Sequence, residues 1–313
     1  MIQRDLFDSA QDSEIISPRL EMESFEAFWK EKNYFSFKKF NTYLEENRIE
    51  SFTHLTERDK AEEALSELKA LTQAKRIELN FQLAQTANFP SNLLDAKEPI
   101  RCFYFLGNLN LLFSKSISIV GSREASNNGK LRAKRLSKEL VREGFTIISG
   151  LAEGIDTAAH TAAIEEGGTT IGVIGTAITE NYPASNKGLQ NFIAKKHLLL
   201  SQVPILHWRK NTPRTNRFFF PERNKTMSAL SLATVIVEAG ENSGALIQAL
   251  AAMEQNRKLF ILNSCFEKDL RWPDRFLNNP KFAGKVFRVR ELDDILENLG
   301  SKAWPRFSSG QNR

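Results

Sequence analysis

The segment ISIVGSREASNNGKLRAKRLSKELVREGFTIISGLAEGIDTAAHTAAIEEGGTTIGVI, residues 117–174, holds three short β-branched runs separated by two longer amphipathic stretches. The runs, Ile117–Val120, Thr146–Ile148 and Thr170–Ile174, have the length of strands buried on both faces. The stretches Gly129–Arg142 and Ile155–Glu166 carry apolar residues at three- and four-residue spacing, as helices do. Strands alternating with helices imply a parallel sheet.

The same rhythm continues outward. Strands are expected at Leu198–Ser201, Thr234–Val237 and Leu259–Leu262, and helices at Lys187–Lys196, Arg223–Leu230, Ala245–Gln255 and Glu291–Leu299. Upstream, RCFYFLGN (101–108) reads as a buried strand ending in a Gly-Asn turn, after the loop-like TANFPSNLLDAKEP. Residues before about 75 lack strand alternation and read as short helices at Met22–Lys30, Ser36–Asn47 and Ala61–Leu71. The expected organisation is a small helical domain over 1–80, a lead-in over 81–116, an α/β domain over 117–300 and a flexible polar tail over 301–313.

Composition narrows the function classes. A chain of 313 residues with 41% hydrophobic and 26% charged residues is an ordinary globular protein. It has neither an apolar run of membrane-spanning length nor a secretory start, so the expected location is the cytoplasm. Cys102 and Cys265, the only cysteines, form neither a disulfide framework nor a metal set and read as reduced thiols. The net charge of +5 is uneven: residues 1–60 carry −4, which leaves +9 on residues 61–313. A polyanionic partner suits that larger part.

Ligands of such sheets sit outside the carboxyl ends of the strands. There the chain has Gly121-Ser122-Arg123, a second turn beginning Ser149-Gly150, and a third containing Ser243-Gly244. Glycine allows backbone N–H groups close to an oxyanion, and the following helix adds unpaired donors. Arg123 adds a forked charge, expected to reach a phosphate already held by the N–H groups of Gly121 and Ser122; the alternative is pairing with a carboxylate such as Glu153. Walker A and G-x-G-x-x-G are both absent, so neither ATP hydrolysis nor a dinucleotide cofactor is expected. Asp156 and His160, four apart on a helix, lack a third ligand and read as a helix-start carboxylate and a satisfied histidine, with no metal.

The densest basic stretch, HWRKNTPRTNRFFFPERNK (207–225), interleaves Arg209, Lys210, Arg214, Arg217, Arg223 and Lys225 with Trp208 and Phe218–Phe220. Charge for a backbone and rings for bases is what single-strand binding requires. Against this stands a solvated loop whose phenylalanines anchor the core.

At these loops the chain resembles the DprA/Smf family of DNA-processing proteins, through SIVGSREASNNG (118–129), ISGLAEGIDTAAHTAAIEEGGTTIGVIGT (148–176), YPASNKGLQNFI (182–193), FPERNKTMSALS (220–231) and VIVEAGENSGALIQALAAMEQNRKLF (235–260). The resemblance implies a Rossmann-like, doubly wound α/β fold, single-stranded DNA held at the glycine-rich loops, a homodimer through the α/β domain, and a RecA-type recombinase as partner. Carried over by position, Gly121, Ser122, Arg123, Lys187, Arg223, Asn224, Ser243 and Gly244 become DNA-contacting residues, with Ser149 and Gly150 in the same cradle and Arg209, Lys210, Arg214, Arg217, Phe220 and Lys225 as a secondary basic and aromatic set. Departures are Gln202 in the family's SE-x-P, Lys225 for the second arginine of RNR, and Glu222 within the basic motif. The tail leaves no room for the small C-terminal winged-helix-like domain of many members. A DprA-like antitoxin or regulator in a phage-defence or toxin–antitoxin module, paired with a cognate toxin, is the alternative. A phosphoribohydrolase is disfavoured because Gln248 stands where that signature needs a catalytic acid, so no enzymatic activity is expected.

Overall fold

The computed structural model describes residues 17–32, 36–86, 88–94, 96 and 98–300. The expected tail at 301–313 lies outside the described residues. Three helices come first: α1 (Pro18–Glu31), α2 (Phe37–Glu46) and α3 (Arg58–Lys75). Two strands, β1 (Asn80–Leu83) and β2 (Cys102–Gly107), lead to the alternating part: β3 (Ser116–Gly121), α4 (Asn127–Arg142), β4 (Thr146–Ser149), α5 (Ile155–Glu165), β5 (Thr170–Val173), α6 (Lys187–Lys196) and β6 (Leu198–Ser201). Helices α7 (Ile205–Lys210), α8 (Pro213–Asn216) and α9 (Phe219–Leu230) follow, then β7 (Ala233–Glu238), α10 (Ala245–Glu254), β8 (Lys258–Leu262), α11 (Trp272–Leu277), β9 (Val286–Val289) and α12 (Leu292–Leu299).

All nine strands join one sheet in the order β1-β2-β6-β5-β4-β3-β7-β8-β9. The seven strands from β3 onward are parallel, while β1 and β2 pair antiparallel at one edge. The chain starts the parallel part at β3, winds outward through β4, β5 and β6, then returns to place β7 on the other side of β3. That reversal makes a crevice at the carboxyl end of β3, the position where doubly wound sheets bind ligands.

The six strands read from residue 117 onward and the strand in RCFYFLGN are all present. Two strands were not legible, β1 and β9, because both are four-residue edge strands with half-exposed patterns. Helix α9 begins at Phe219 rather than at Arg223. Pro221 falls in that helix's first turn, where its missing N–H costs no intrahelical bond.

The N-terminal helices share a core with the sheet. Phe25, Phe28, Trp29, Phe40 and Phe52 pack in one cluster with Leu83, Tyr104, Ile205, Leu206 and Phe219. Glu26, wholly buried on α1, links the two regions: it accepts hydrogen bonds from the N–H groups of Ile205 (2.7 Å) and Leu206 (2.8 Å) at the start of α7, and from the Tyr104 hydroxyl. Burial pushes its carboxyl up to about 7, against the lowering effect of those three donors. Among the described residues no helix is long and apolar enough to cross a membrane.

Candidate nucleic-acid interface

The turn after β3 is stitched to both neighbours. A β-carbon on Gly121 would lie 2.6 Å from the Glu238 carbonyl and 2.6 Å from Cγ1 of Ile155, so only glycine fits between β7 and α5. The Ser122 N–H donates to the Glu238 carbonyl at 2.7 Å, and the Ser122 carbonyl accepts from Ile155 N–H at 3.3 Å. This corrects one expectation: the Ser122 N–H is committed to β7 and is not a phosphate donor. Gly154, at φ +77°, lets the turn after β4 lie against the Ser122 and Arg123 carbonyls, where a β-carbon would stand 2.4 and 2.3 Å away.

Held by this stitching, Arg123 projects into solvent. Its guanidinium carbon lies 5.6 Å from the centroid of the Phe220 ring, which in turn lies 5.4 Å from the Tyr182 ring. Arg123 forms no ion pair among the described residues; Glu153 instead accepts from the Ser185 hydroxyl at 2.6 Å. A free cation beside two rings offers one contact for phosphate and two faces for bases. Tyr182, 46% exposed, was not nominated from sequence; an aromatic residue in a Pro-containing loop was the available signal.

Behind Arg123 is a buried charge network. Arg223, 6% exposed, donates from Nη1 to the carbonyls of Gly150 and Val173 (3.0 Å to the latter) and from Nε to Oδ1 of Asn224 at 2.9 Å. Asn224 donates onward to the Gly244 carbonyl at 3.1 Å. Asp156, also buried, faces Arg223: desolvation raises its carboxyl while the guanidinium opposes the rise. Desolvation likewise lowers Arg223, and Asp156 resists it. Arg223 and Asn224 therefore tie the ends of β4 and β5 to α9 and α10, although both still line the cavity. Ser149 differs from expectation, since its hydroxyl is fully buried and donates to the Ile119 carbonyl at 2.7 Å inside the sheet.

The central cavity, about 330 Å³, opens at the end of β3 between this network and the start of α10. Gly121, Ser122, Arg123, Phe220, Ser243 and Gly244 all lie on its wall. Gln248 is there too, fully buried, with Nε2 donating to Oγ1 of Thr234 at 3.3 Å.

The remaining candidates separate. Lys187 opens α6 and is exposed; Asn186 anchors that segment by donating to the Leu151 carbonyl (2.9 Å) and to Thr157 Oγ1 (2.8 Å). Arg209, Lys210, Arg214 and Arg217 are exposed but do not line the central cavity. Lys210 donates to the Lys30 carbonyl at 3.0 Å, and the Arg217 guanidinium carbon is 5.8 Å from the exposed Phe218 ring. Lys225 departs from expectation: it pairs with Glu98 and with Glu222 (3.0 Å), so its charge is balanced within the protein. The three adjacent phenylalanines divide as well, Phe218 in solvent, Phe219 in the aromatic core with Trp29, His207 and Trp208, and Phe220 at the cavity.

The helix-start pair only partly matches the reading from sequence. Asp156 accepts from the Ala152 N–H at 3.4 Å, and Nδ1 of buried His160 shares a 2.6 Å hydrogen bond with Thr170 while its Nε2 has no hydrogen-bond partner among the described residues, with burial lowering the imidazole to about 3. No group of three or more His, Cys, Asp or Glu residues arranged to hold a metal occurs among the described residues. Cys102 and Cys265 are buried, and desolvation raises both thiols, that of Cys265 to about 11.

Comparison with known proteins places the fold and the family. DprA from Streptococcus pneumoniae is 41% identical over 172 residues, 55% of this chain and 57% of that protein. DprA from Bacillus subtilis is 35% identical over 215 residues, 67% of this chain and 68% of that protein. The chain thus spans little more than half the length of the pneumococcal relative. Among solved structures, S. pneumoniae DprA matches the fold with a TM-score of 0.65 at 24% identity, over 88% of this chain and 97% of that one. DprA from Helicobacter pylori, a structure described for its unique single-stranded DNA binding mode, matches with a TM-score of 0.59 at 23% identity, over 73% and 98% of the two chains. The family model for DNA recombination-mediator protein A matches residues 80–299, and the chain belongs to that family.

Proposed function

We propose that this chain binds single-stranded DNA in the crevice at the end of β3 and acts, without catalysing a reaction, as a DNA-processing protein in recombination or in the uptake and protection of incoming DNA. The observation that carries the reading is the unpaired Arg123 guanidinium set beside the Phe220 and Tyr182 rings on the rim of a cavity at the topological switch point. The exposed Tyr182 ring and the half-buried Phe220 ring favour unstacked bases over a duplex, whose bases face one another. A binding role fits better than hydrolysis because Asp156 lies under the opposing charge of Arg223, and the cavity's other deeply buried polar side chains, Arg223, Asn224 and Gln248, are a guanidinium and two amides rather than acids.

A homodimer through the α/β domain and docking of a RecA-type recombinase extend this reading. Ile247 and Leu250, three apart on α10 and 38% and 50% exposed, are the apolar residues there that a second copy would cover. The test is fluorescence anisotropy with a labelled oligothymidylate and a matched duplex across a salt series. Preferential binding of the single strand, weakening steeply with salt, is expected. Equal binding of the duplex, or indifference to salt, overturns the proposal.

A further inference from the structure

A second cavity, about 380 Å³, lies on the same carboxyl edge of the sheet, between α4 and the ends of β8 and β9. Arg132 and Arg135 enter it from α4, Arg290 from the end of β9, and Asn263 and Ser264 from the end of β8. Of its acidic residues Glu139 pairs with Arg135 at 2.7 Å, while Glu267 accepts from the neutral amide of Asn263 and Glu291 closes the capping box at the start of α12, bonds that fix both carboxylates in place without cancelling their charge. Arg132 and Arg290 are exposed and form no ion pair among the described residues.

Ion pairing along α4 is polarised in the same sense. In its C-terminal half Arg135, Lys138 and Arg142 meet Glu139, Glu165 and Glu166 at 2.7, 3.1 and 2.7 Å. In its N-terminal half Lys130, Arg132 and Lys134 form no ion pair among the described residues. That half adjoins the central crevice. Ser126, the N-cap of α4, bonds through N–H (2.9 Å) and hydroxyl (2.7 Å) to the Glu238 carboxylate, whose own carbonyl takes the Ser122 N–H. Glu238, at the end of β7, is also paired with Lys268 at 3.3 Å, which balances its charge; Glu124, exposed on the wall of the central cavity, forms no ion pair among the described residues.

We propose that the cavity framed by Arg132 and Arg290 is a second phosphate-binding site, taking the backbone of a single strand after it leaves the central crevice along the N-terminal half of α4. This rests on the DNA-binding reading above and adds a path and a length dependence to it. Arginine suits the role because its planar fork meets phosphate oxygens in pairs.

The test uses the full chain, oligothymidylates of about 6 and about 20 nucleotides, and three proteins: the unaltered chain, Arg123→Ala, and Arg132→Ala combined with Arg290→Ala. Both altered arginines are exposed, so the double variant should melt as the unaltered chain does; Arg132→Gln with Arg290→Gln repeats the comparison with polar stems retained. The double variant should bind the short oligomer normally, bind the long one about tenfold more weakly, and lose about two units of salt slope on the long one. Arg123→Ala should weaken both lengths. Unchanged affinity and slope for the long oligomer in the double variant overturn the second site while leaving the central one standing, as does an equal loss on both lengths. Binding of neither length by the unaltered chain overturns the DNA reading itself and this extension with it.

Discussion

A β-carbon built on Gly150 would stand 1.9 Å from Nη1 of Arg223, the nitrogen that donates to the Gly150 carbonyl, so the missing side chain at 150 is what admits the guanidinium. Once admitted, Arg223 opposes the desolvation of the buried Asp156 and joins the ends of β4 and β5, with Asn224 carrying the link on to Gly244. Gly150→Ala should displace Arg223 and leave Asp156 buried without a counter-charge. Breaking a buried pair in this way costs about 3–5 kcal/mol, equivalent to a Tm lower by on the order of 10 °C. Calorimetry checks this, and a variant melting with the unaltered chain would show that the network carries no stability.

Arg123 should behave oppositely, because it is exposed and forms no ion pair among the described residues. Arg123→Ala should leave Tm unchanged and weaken single-strand binding by about 1–3 kcal/mol, the range for one charge-assisted contact. The salt slope should fall by about one unit. Arg123→Lys should restore the charge and only part of the affinity, since ammonium lacks the fork. A lower Tm with unaltered affinity would mean that Arg123 only stiffens the turns.

Two buried groups set opposing pH dependences. The Glu26 carboxyl is raised from 4.5 to about 7, so between those values the folded chain holds a proton that the unfolded chain releases, and stability falls as pH rises through that window. The His160 imidazole is lowered from 6.5 to about 3, so its contribution is complete above 6.5 and lost as pH falls toward 3. The shifts are worth on the order of 3 kcal/mol for Glu26 and 5 kcal/mol for His160. Glu26→Gln should remove the loss between pH 4.5 and 7 and leave the acid-side loss in place. Urea titrations at closely spaced pH values measure both slopes; an unchanged slope above pH 5 in Glu26→Gln would refute the assignment.

Much of the architecture was legible because the parallel strands are buried on both faces and so read as continuous apolar runs. The edge strands β1 and β9, half exposed and four residues long, carry no such run. The glycine-rich turns were legible as turns, and the crevice lies where they converge. Sequence does not reveal which donors and charges are already engaged. Lys225 reads as a free cation until Glu98, 127 positions away, folds against it, and the Ser122 N–H reads as free until β7 arrives beside β3. Tertiary pairing of that kind leaves no local signature. Arg123 was legible as an exposed cation at the end of β3, and there its turn is fixed by neighbouring backbone and it forms no ion pair among the described residues.

The run Phe218-Phe219-Phe220 gives the sharpest comparison, because three identical side chains in sequence occupy three environments. Phe219 is 5% exposed and surrounded by the rings of Trp29, Phe37, His207 and Trp208. Phe219→Ala should therefore cost about 3–5 kcal/mol of stability, the range for emptying an aromatic core position. Phe220 lies between Arg123 and Tyr182 on the cavity wall, and its backbone and ring fill the space over Gly175, where a β-carbon would meet the ring at 2.8 Å. Phe220→Ala should lose about 1–3 kcal/mol of single-strand affinity, the worth of one stacked base, with a smaller loss of stability than Phe219→Ala. Phe218, 62% exposed, touches only the Arg217 guanidinium among the ring and cation contacts of the described residues. Phe218→Ala should leave stability within about 0.5 kcal/mol of the unaltered chain, as surface changes do. Thermal melts and anisotropy on the three variants separate core, crevice and surface. Equal affinity losses in Phe218→Ala and Phe220→Ala would move the base-stacking surface away from the crevice and toward the exposed basic segment around Arg217.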